Sequence, residues 1–214
     1  NEVLDERGYD EYEHISDQAA NFEPVKTEAK KRTLLRRLMD HGHWGPFEHP
    51  SATVAIEGIT RTAMAQITRH RHFTFDIMSL RYVEVDGDVT EVCATPEHED
   101  VESSREGTHD ADYEETNEKF YDSYESSIRD YDALLDSDVP QEEARKVLPM
   151  GTTVNMVMSG NARAWMHLLN IRGKANVQGE ARRIADALMD EMQEWMPFTF
   201  AHYDEEVLPL QLNP

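Results

Sequence analysis

A chain of 214 residues with 39% hydrophobic content is the size of one ordinary domain and can bury a core, so wholesale disorder is excluded in spite of its polarity. Its 43 Asp and Glu against 21 Lys and Arg give a formal net charge of −22, and an acidic body of this kind repels the phosphates of extended DNA or RNA. A single cysteine, Cys93, excludes a disulfide framework and a multi-cysteine metal site. No run approaches the roughly 18 apolar residues of a membrane span. The N-terminal stretch has neither the basic nor the apolar region of a secretory signal. The chain reads as a soluble cytoplasmic protein, with a few native residues expected before Asn1 because no initiator Met is present. Fifteen of the basic residues are Arg and six are Lys. This acid excess with few lysines suggests adaptation to high salt, where self-repulsion is screened and a carboxylate surface stays hydrated.

Apolar spacing predicts a first helix over residues 27–41, capped by Thr27, buried through Leu34, Leu35, Leu38 and Met39, and ended by Gly42. A turn-rich loop from His41 to His49 follows. Residues 51–59 alternate as a strand, with Ala52, Val54, Ile56 and Gly58 on one side. A short helix is expected over 61–69 with Ala63 and Ile67 inward, then irregular chain over 72–80 and a strand over 81–85. Residues 97–143 hold 18 acids and three bases. Even so, Tyr113, Phe120, Tyr124, Ile128, Tyr131 and Leu135 fall on one helical stripe, so only about 97–108 is expected to be a mobile loop. Pro140 opens a short helix through Val147, and residues 152–159 form a second strand. Asn161 caps a helix through Ile171. Ala181, Ile184, Leu188, Met192 and Trp195 mark a last long helix, which Pro197 stops. Helices and strands without regular βαβ alternation predict a single α+β domain over 1–214.

Positive charge is concentrated in two islands. Residues 59–83 carry Arg61, Arg69, Arg71 and Arg81 against Asp76 alone, a net +3. Residues 145–183 carry Arg145, Lys146, Arg163, Arg172, Lys174, Arg182 and Arg183 against Glu180, a net +6. Basic islands kept on so acidic a chain point to a small phosphorylated ligand.

The sharpest motif is Arg69-His70-Arg71, seven residues, then Ser79-Leu80-Arg81-Tyr82. With Phe47-Glu48-His49, Gln66, Ala144-Arg145, Leu148-Pro149, Asn161-Ala162-Arg163 and Leu169-Asn170-Ile171-Arg172 in order, the chain resembles the flavin-dependent thymidylate synthases over roughly residues 40–200. That resemblance implies an α+β subunit of a homotetramer with shared active sites. The implied reaction is reductive methylation of dUMP to dTMP, with methylenetetrahydrofolate as carbon donor, reduced FAD as hydride source and methylene relay, and NADPH as reductant. It also implies dUMP contacts at Gln66, Arg69, Ser79, Leu80, Arg81, Arg145 and Arg172. FAD contacts are implied at Ser51, Arg69, His70, Arg71, Ile77, Asn161, Arg163 and His167. Arg172 is the catalytic candidate: a guanidinium on the uracil N3/O2 edge favours the electron-rich, deprotonated ring. Within the spacer, Asp76 and Ile77 stand where the family usually has Asn and Glu.

Other readings of these residues stand beside the resemblance. Ser79 lacks a general base and reads as a phosphate hydrogen-bonding group rather than a nucleophile. Cys93 lies among acids that raise a thiol pKa, so it reads as incidental. His41, His43, His49, His70 and His72 show no metal-ligand spacing, and Arg beside His70 and His72 repels a cation. His49 either orients substrate or caps loop backbone. Arg182 and Arg183 are interfacial or solvated, and Arg61 is structural or interfacial. The rival from another class is a non-catalytic nucleotide-binding protein that keeps the fold; a third is a nucleic-acid-binding module.

Overall fold

The computed structural model describes residues 27–97, 103–104, 107–108 and 111–212. Helix α1 (Glu28–Asp40) begins where Thr27 accepts the N–H of Lys30 and buries Leu35 and Met39. Strand β1 (Ser51–Thr60) leads directly into helix α2 (Arg61–Ile67), and strand β2 (Thr74–Ile77) follows. Helix α3 (Val89–Val92) is a single turn closed by a capping box between Asp88 and Glu91. Two-residue strands β3 (Ser103–Ser104) and β4 (Gly107–Thr108) pair antiparallel. The long helix α4 (Tyr113–Asp136) is capped by Asp112, and the short α5 (Gln141–Ala144) runs into a 3-10 turn over Arg145–Val147. Strand β5 (Thr153–Asn161), helix α6 (Ala162–Arg172) and helix α7 (Gly179–Trp195) complete the expected order. Beyond it, α8 (Pro197–His202) passes through a π turn at Tyr203–Val207 into α9 (Leu208–Leu212). The main sheet has strand order β1-β5-β2. The class is α+β, as the pattern of elements predicts.

Three local expectations are corrected. Residues 74–77 are a strand, not irregular chain. Four residues alternating in exposure are too short to stand out from their charged flanks. Residues 81–85 are not a strand: the Ser79 carbonyl accepts the N–H groups of Tyr82 and Val83, both at 3.1 Å, and turns the chain there. The alternation of β1 slips at Gly58, whose φ of +67° favours glycine, so Ile59 and Thr60 are both buried and Gly58 is exposed. The last long helix ends at Trp195, just before Pro197 as expected, and Pro197 then opens a further short helix. Part of the loop expected over 97–108 lies outside the described residues; the described parts of it form the β3–β4 ladder.

Backbone contacts divide the chain into two compact units. One comprises the chain up to Thr53, Ser159–Lys174 and Arg182 onward; the other comprises Val54–Met158 and Ala175–Ala181. In the first, α6 is the centre: Trp165, Leu168 and Leu169 are buried, as are Phe47, Met192 and Phe200. Polar tips are satisfied within it. Trp165 Nε1 donates to the Gly160 carbonyl at 3.0 Å and the Tyr203 hydroxyl to the Met166 carbonyl at 2.8 Å. In the second unit, Val89, Cys93 and Tyr124 form a buried cluster with Phe120, Tyr121 and Ile128 packed against it. The aromatic stripe of α4 is therefore core under an acidic face, as its spacing predicts.

Candidate active site

In the second unit, α2 presents Gln66 and then breaks. The N–H of His70 bonds to the Ile67 carbonyl at 3.1 Å, and that of Phe73 to the His70 carbonyl at 3.3 Å. This turn sends alternate side chains opposite ways: His70 is only 6% exposed, while Arg69 and Arg71 face solvent. Two guanidinium groups thus stand at the surface on a rigid, buried pivot. The start of α2 is fixed just as firmly. Glu180 accepts the Thr60 N–H at 2.8 Å and the Thr60 hydroxyl at 2.5 Å, while that hydroxyl oxygen accepts the Ala63 N–H at 3.1 Å.

Ser79 turns the chain so that Arg81 faces α5. Arg81 Nε and Nη2 both donate to Glu142 Oε2, at 3.0 and 2.6 Å, and its guanidinium carbon lies 5.4 Å from the Tyr82 ring centroid. Arg145 Nε donates to the Glu142 backbone carbonyl at 3.2 Å. One acidic residue therefore gathers two of the nucleotide-binding arginines that sequence reading proposed. The hydrogen bond to Glu142 raises the pKa of Arg81 above its ordinary value, so its guanidinium stays protonated, and the carboxylate beside it balances that charge. Leu80, between Ser79 and Arg81, is 3% exposed and anchors the turn in the core. Its candidate contact with nucleotide is thus confined to its backbone.

Ile77 lines a cavity of about 280 Å³ with Glu57, Asp76, Met78 and Asn155. Two carboxylates and no cation line it, so its charge does not suit the anionic end of a dinucleotide.

In the first unit, α6 carries Arg163, His167 and Asn170 at steps of four and three, hence on one face. With Trp44, Met166 and Tyr203 they line a cavity of about 210 Å³. Arg163 is ion-paired with Glu48. Asn170 Oδ1 is buried and meets no hydrogen-bond donor among the described residues, an acceptor awaiting a partner at the cavity wall. The cavity is below the usual size for a whole small-molecule site, roughly 300–1,000 Å³, so it suits one ring or headgroup of a larger group. An aromatic ring, a guanidinium and amide and imidazole groups fit part of a flavin dinucleotide. Asn161 uses its side-chain oxygen to cap α6, accepting the Ala164 N–H at 2.9 Å, which fixes the side chain and leaves its amide nitrogen as a donor. Ser51 is exposed at the start of β1, beside Pro50, whose carbonyl accepts the Ala162 N–H at 3.0 Å. Arg172 ends α6, where a cation complements the helix dipole. The following Gly173 sits so close to the Leu169 carbonyl oxygen that a Cβ there would lie 2.9 Å from it.

Cys93 is buried in the second unit, its sulfur 3.9 Å from the Thr152 hydroxyl. Burial, more than neighbouring acids, pushes its thiol pKa up, which replaces the cause read from sequence but keeps the inert assignment. Among the described residues no group of three or more His, Cys, Asp and Glu side chains is arranged to hold a metal ion, and no helix is long and apolar enough to cross a membrane. Trp44, Glu142, Asn170 and Gln178 were not singled out from sequence. Asn170 had a signal, its helical spacing from His167; Glu142 and Gln178 become visible only through contacts across 61 and 112 residues of chain.

The family described as thymidylate synthase complementing protein matches residues 8–198. A flavin-dependent thymidylate synthase from Haloarcula marismortui is 43% identical over 192 residues, covering 84% of this chain and 78% of that protein. One from Halobacterium salinarum is 40% identical over 200 residues, covering 88% and 81%. The chain belongs to the flavin-dependent thymidylate synthase family. Among solved structures, a UMP/dUMP methylase PolB from Streptomyces cacaoi bound with 5-Br dUMP superposes with a TM-score of 0.80 at 25% identity, covering 90% of this chain and 89% of that one.

Proposed function

We propose that this chain converts dUMP to dTMP, taking the one-carbon unit from methylenetetrahydrofolate and using FAD reduced by NADPH. The observation that carries the reading is the convergence of Arg81 and Arg145 on Glu142, next to the turn opened by Ser79. Guanidinium groups held this way form a fork for a monophosphate, with the Ser79 hydroxyl as a further donor. The UMP/dUMP methylase bound with 5-Br dUMP supports the same substrate, and the flavin-dependent relatives support the cofactor.

In this reading Gln66 and Arg69 hold the nucleotide beside the Arg81–Arg145 fork, with Leu80 contributing backbone. Arg172 faces the uracil N3/O2 edge and neutralises charge there, which makes C5 the electron-rich carbon without covalent attachment to the protein. Arg163, His167, Asn170 and Trp44 hold one part of FAD, and Arg69, Arg71 and His70 another. Ser51, Ile77 and Asn161 are its minor contacts. Bound FAD would supply the two electrons and relay the one-carbon unit, releasing tetrahydrofolate. Deprotonation at C5 accompanies methyl-group formation.

The family match runs through both compact units, which supports one functional domain over 1–214. The assembly is a homotetramer with shared sites in a soluble cytoplasmic enzyme. Adaptation to high salt is supported by the −22 charge and by the halophilic sources of two relatives. The decisive experiment measures tritium release from dUMP labelled at C5, using protein loaded with FAD and supplied with NADPH and methylenetetrahydrofolate. Turnover-dependent release supports the reading; FAD-loaded, correctly folded protein that binds dUMP without release supports a non-catalytic nucleotide-binding protein.

A further inference from the structure

The seven residues Ala175–Ala181, the end of the link from α6 and the first three residues of α7, pack with the second unit. They grip α2 at two places. At its N-terminal end Glu180 takes both the N–H and the hydroxyl of Thr60. Toward its other end the amide nitrogen of Gln66 donates to the Gln178 carboxamide oxygen. The two grips differ in kind. Thr60 is 6% exposed and its bonds to Glu180 go to a carboxylate, so that end is a strong, shielded anchor. Gln178 is exposed and Gln66 half-buried, and their bond joins two neutral amides, so that end is weak and open to exchange.

We propose that Gln178 is a latch on the nucleotide site. It holds one N–H of the Gln66 amide and is displaced when dUMP takes that N–H, while Glu180 keeps the far end of the segment in place. This inference rests on the reading of Gln66 as a dUMP contact. The latch adds a cost to binding because the nucleotide takes the same N–H of the Gln66 amide that Gln178 holds. The segment starts three residues after Arg172, so release of Gln178 loosens the stretch of chain that follows the catalytic candidate. Glu180 acts through Thr60 and is a positioning residue.

The test is calorimetric titration of dUMP into the FAD-loaded full chain in 1 M KCl, comparing wild type, Gln178→Ala, Gln66→Ala and the double variant. Removing one exposed amide bond from the competition should tighten dUMP binding by about two- to fivefold in Gln178→Ala. The same substitution should have no effect in the Gln66→Ala background. Hydrogen exchange gives an independent readout in wild type: amides of 175–178 should exchange faster once dUMP is bound. Unchanged or weaker dUMP binding by Gln178→Ala, equal tightening in the Gln66→Ala background, or slower exchange on binding would each overturn the latch. If wild-type protein binds dUMP and only these differences are missing, the latch alone fails. If wild-type protein does not bind dUMP at all, the functional reading fails and the latch with it.

Discussion

Thr60 sits at the joint between β1 and α2, and its hydroxyl does two jobs with one oxygen. Replacing it by valine keeps the branched shape but removes both bonds: the cap on Ala63 and the bond to Glu180. Loss of an N-cap costs about 1 kcal/mol, and loss of a hydrogen bond to a charged partner about 1.5–3 kcal/mol. Because both terms share an atom they do not add fully, and about 2–4 kcal/mol is the working figure. At roughly 2–4 °C per kcal/mol for a chain of this size, the melting temperature should fall by about 5–15 °C. Thermal unfolding followed by circular dichroism at constant KCl measures it, with Thr60→Ser as the control that keeps the oxygen and should stay within about 1 kcal/mol. A Thr60→Val protein melting within a degree or two of wild type would refute the bonding scheme. Since α2 carries Gln66 and leads into Arg69, the KM for dUMP should rise in Thr60→Val more than kcat falls.

Arg172→Ala should lower turnover by about a thousandfold or more, in line with removal of a group that meets developing charge, while flavin absorbance of the purified protein is retained. Substantial remaining tritium release would remove Arg172 from the chemistry. Cys93→Ala should keep near-normal turnover, and in the folded wild type Cys93 should resist iodoacetamide at pH 8, because burial holds the thiol protonated. Tyr203 offers a pH test. Burial pushes its phenol well above the ordinary value of 10. Above about pH 10 the unfolded chain loses that proton while the folded chain keeps it, so stability present below pH 10 falls as pH rises. Tyr203→Phe should show a shallower loss in urea unfolding between pH 9 and pH 11, and an identical slope would exclude the phenol as the source.

The helices and the two long strands were legible because their signals are local. Thr27 and Asn161 announced caps, and Tyr113 through Leu135 announced a buried face. Strand β2 was missed because four residues provide too little alternation. The 81–85 segment was misread because its β-branched residues obey a turn set by the Ser79 carbonyl, a backbone effect with no sequence signature. At the site, the arginines could be named from motif order, but not what holds them. Glu142, Glu48 and Gln178 act over long separations in the chain, and ordinary acidic or amide residues carry no mark of such a role. Asp76 and Ile77 were legible as departures, and the cavity they line is correspondingly acidic.

Helix α6 has a property that follows from its pitch. Arg163 and Arg172 are nine residues apart, which at about 1.5 Å per residue is roughly 14 Å along the axis and about two and a half turns around it. The two guanidinium groups therefore leave opposite sides of the same rod, and Trp165 and Leu168 are the buried bearing on which it rests. A change of volume at that bearing would tilt both ends together, so the two distant guanidinium groups would report a single fault in packing.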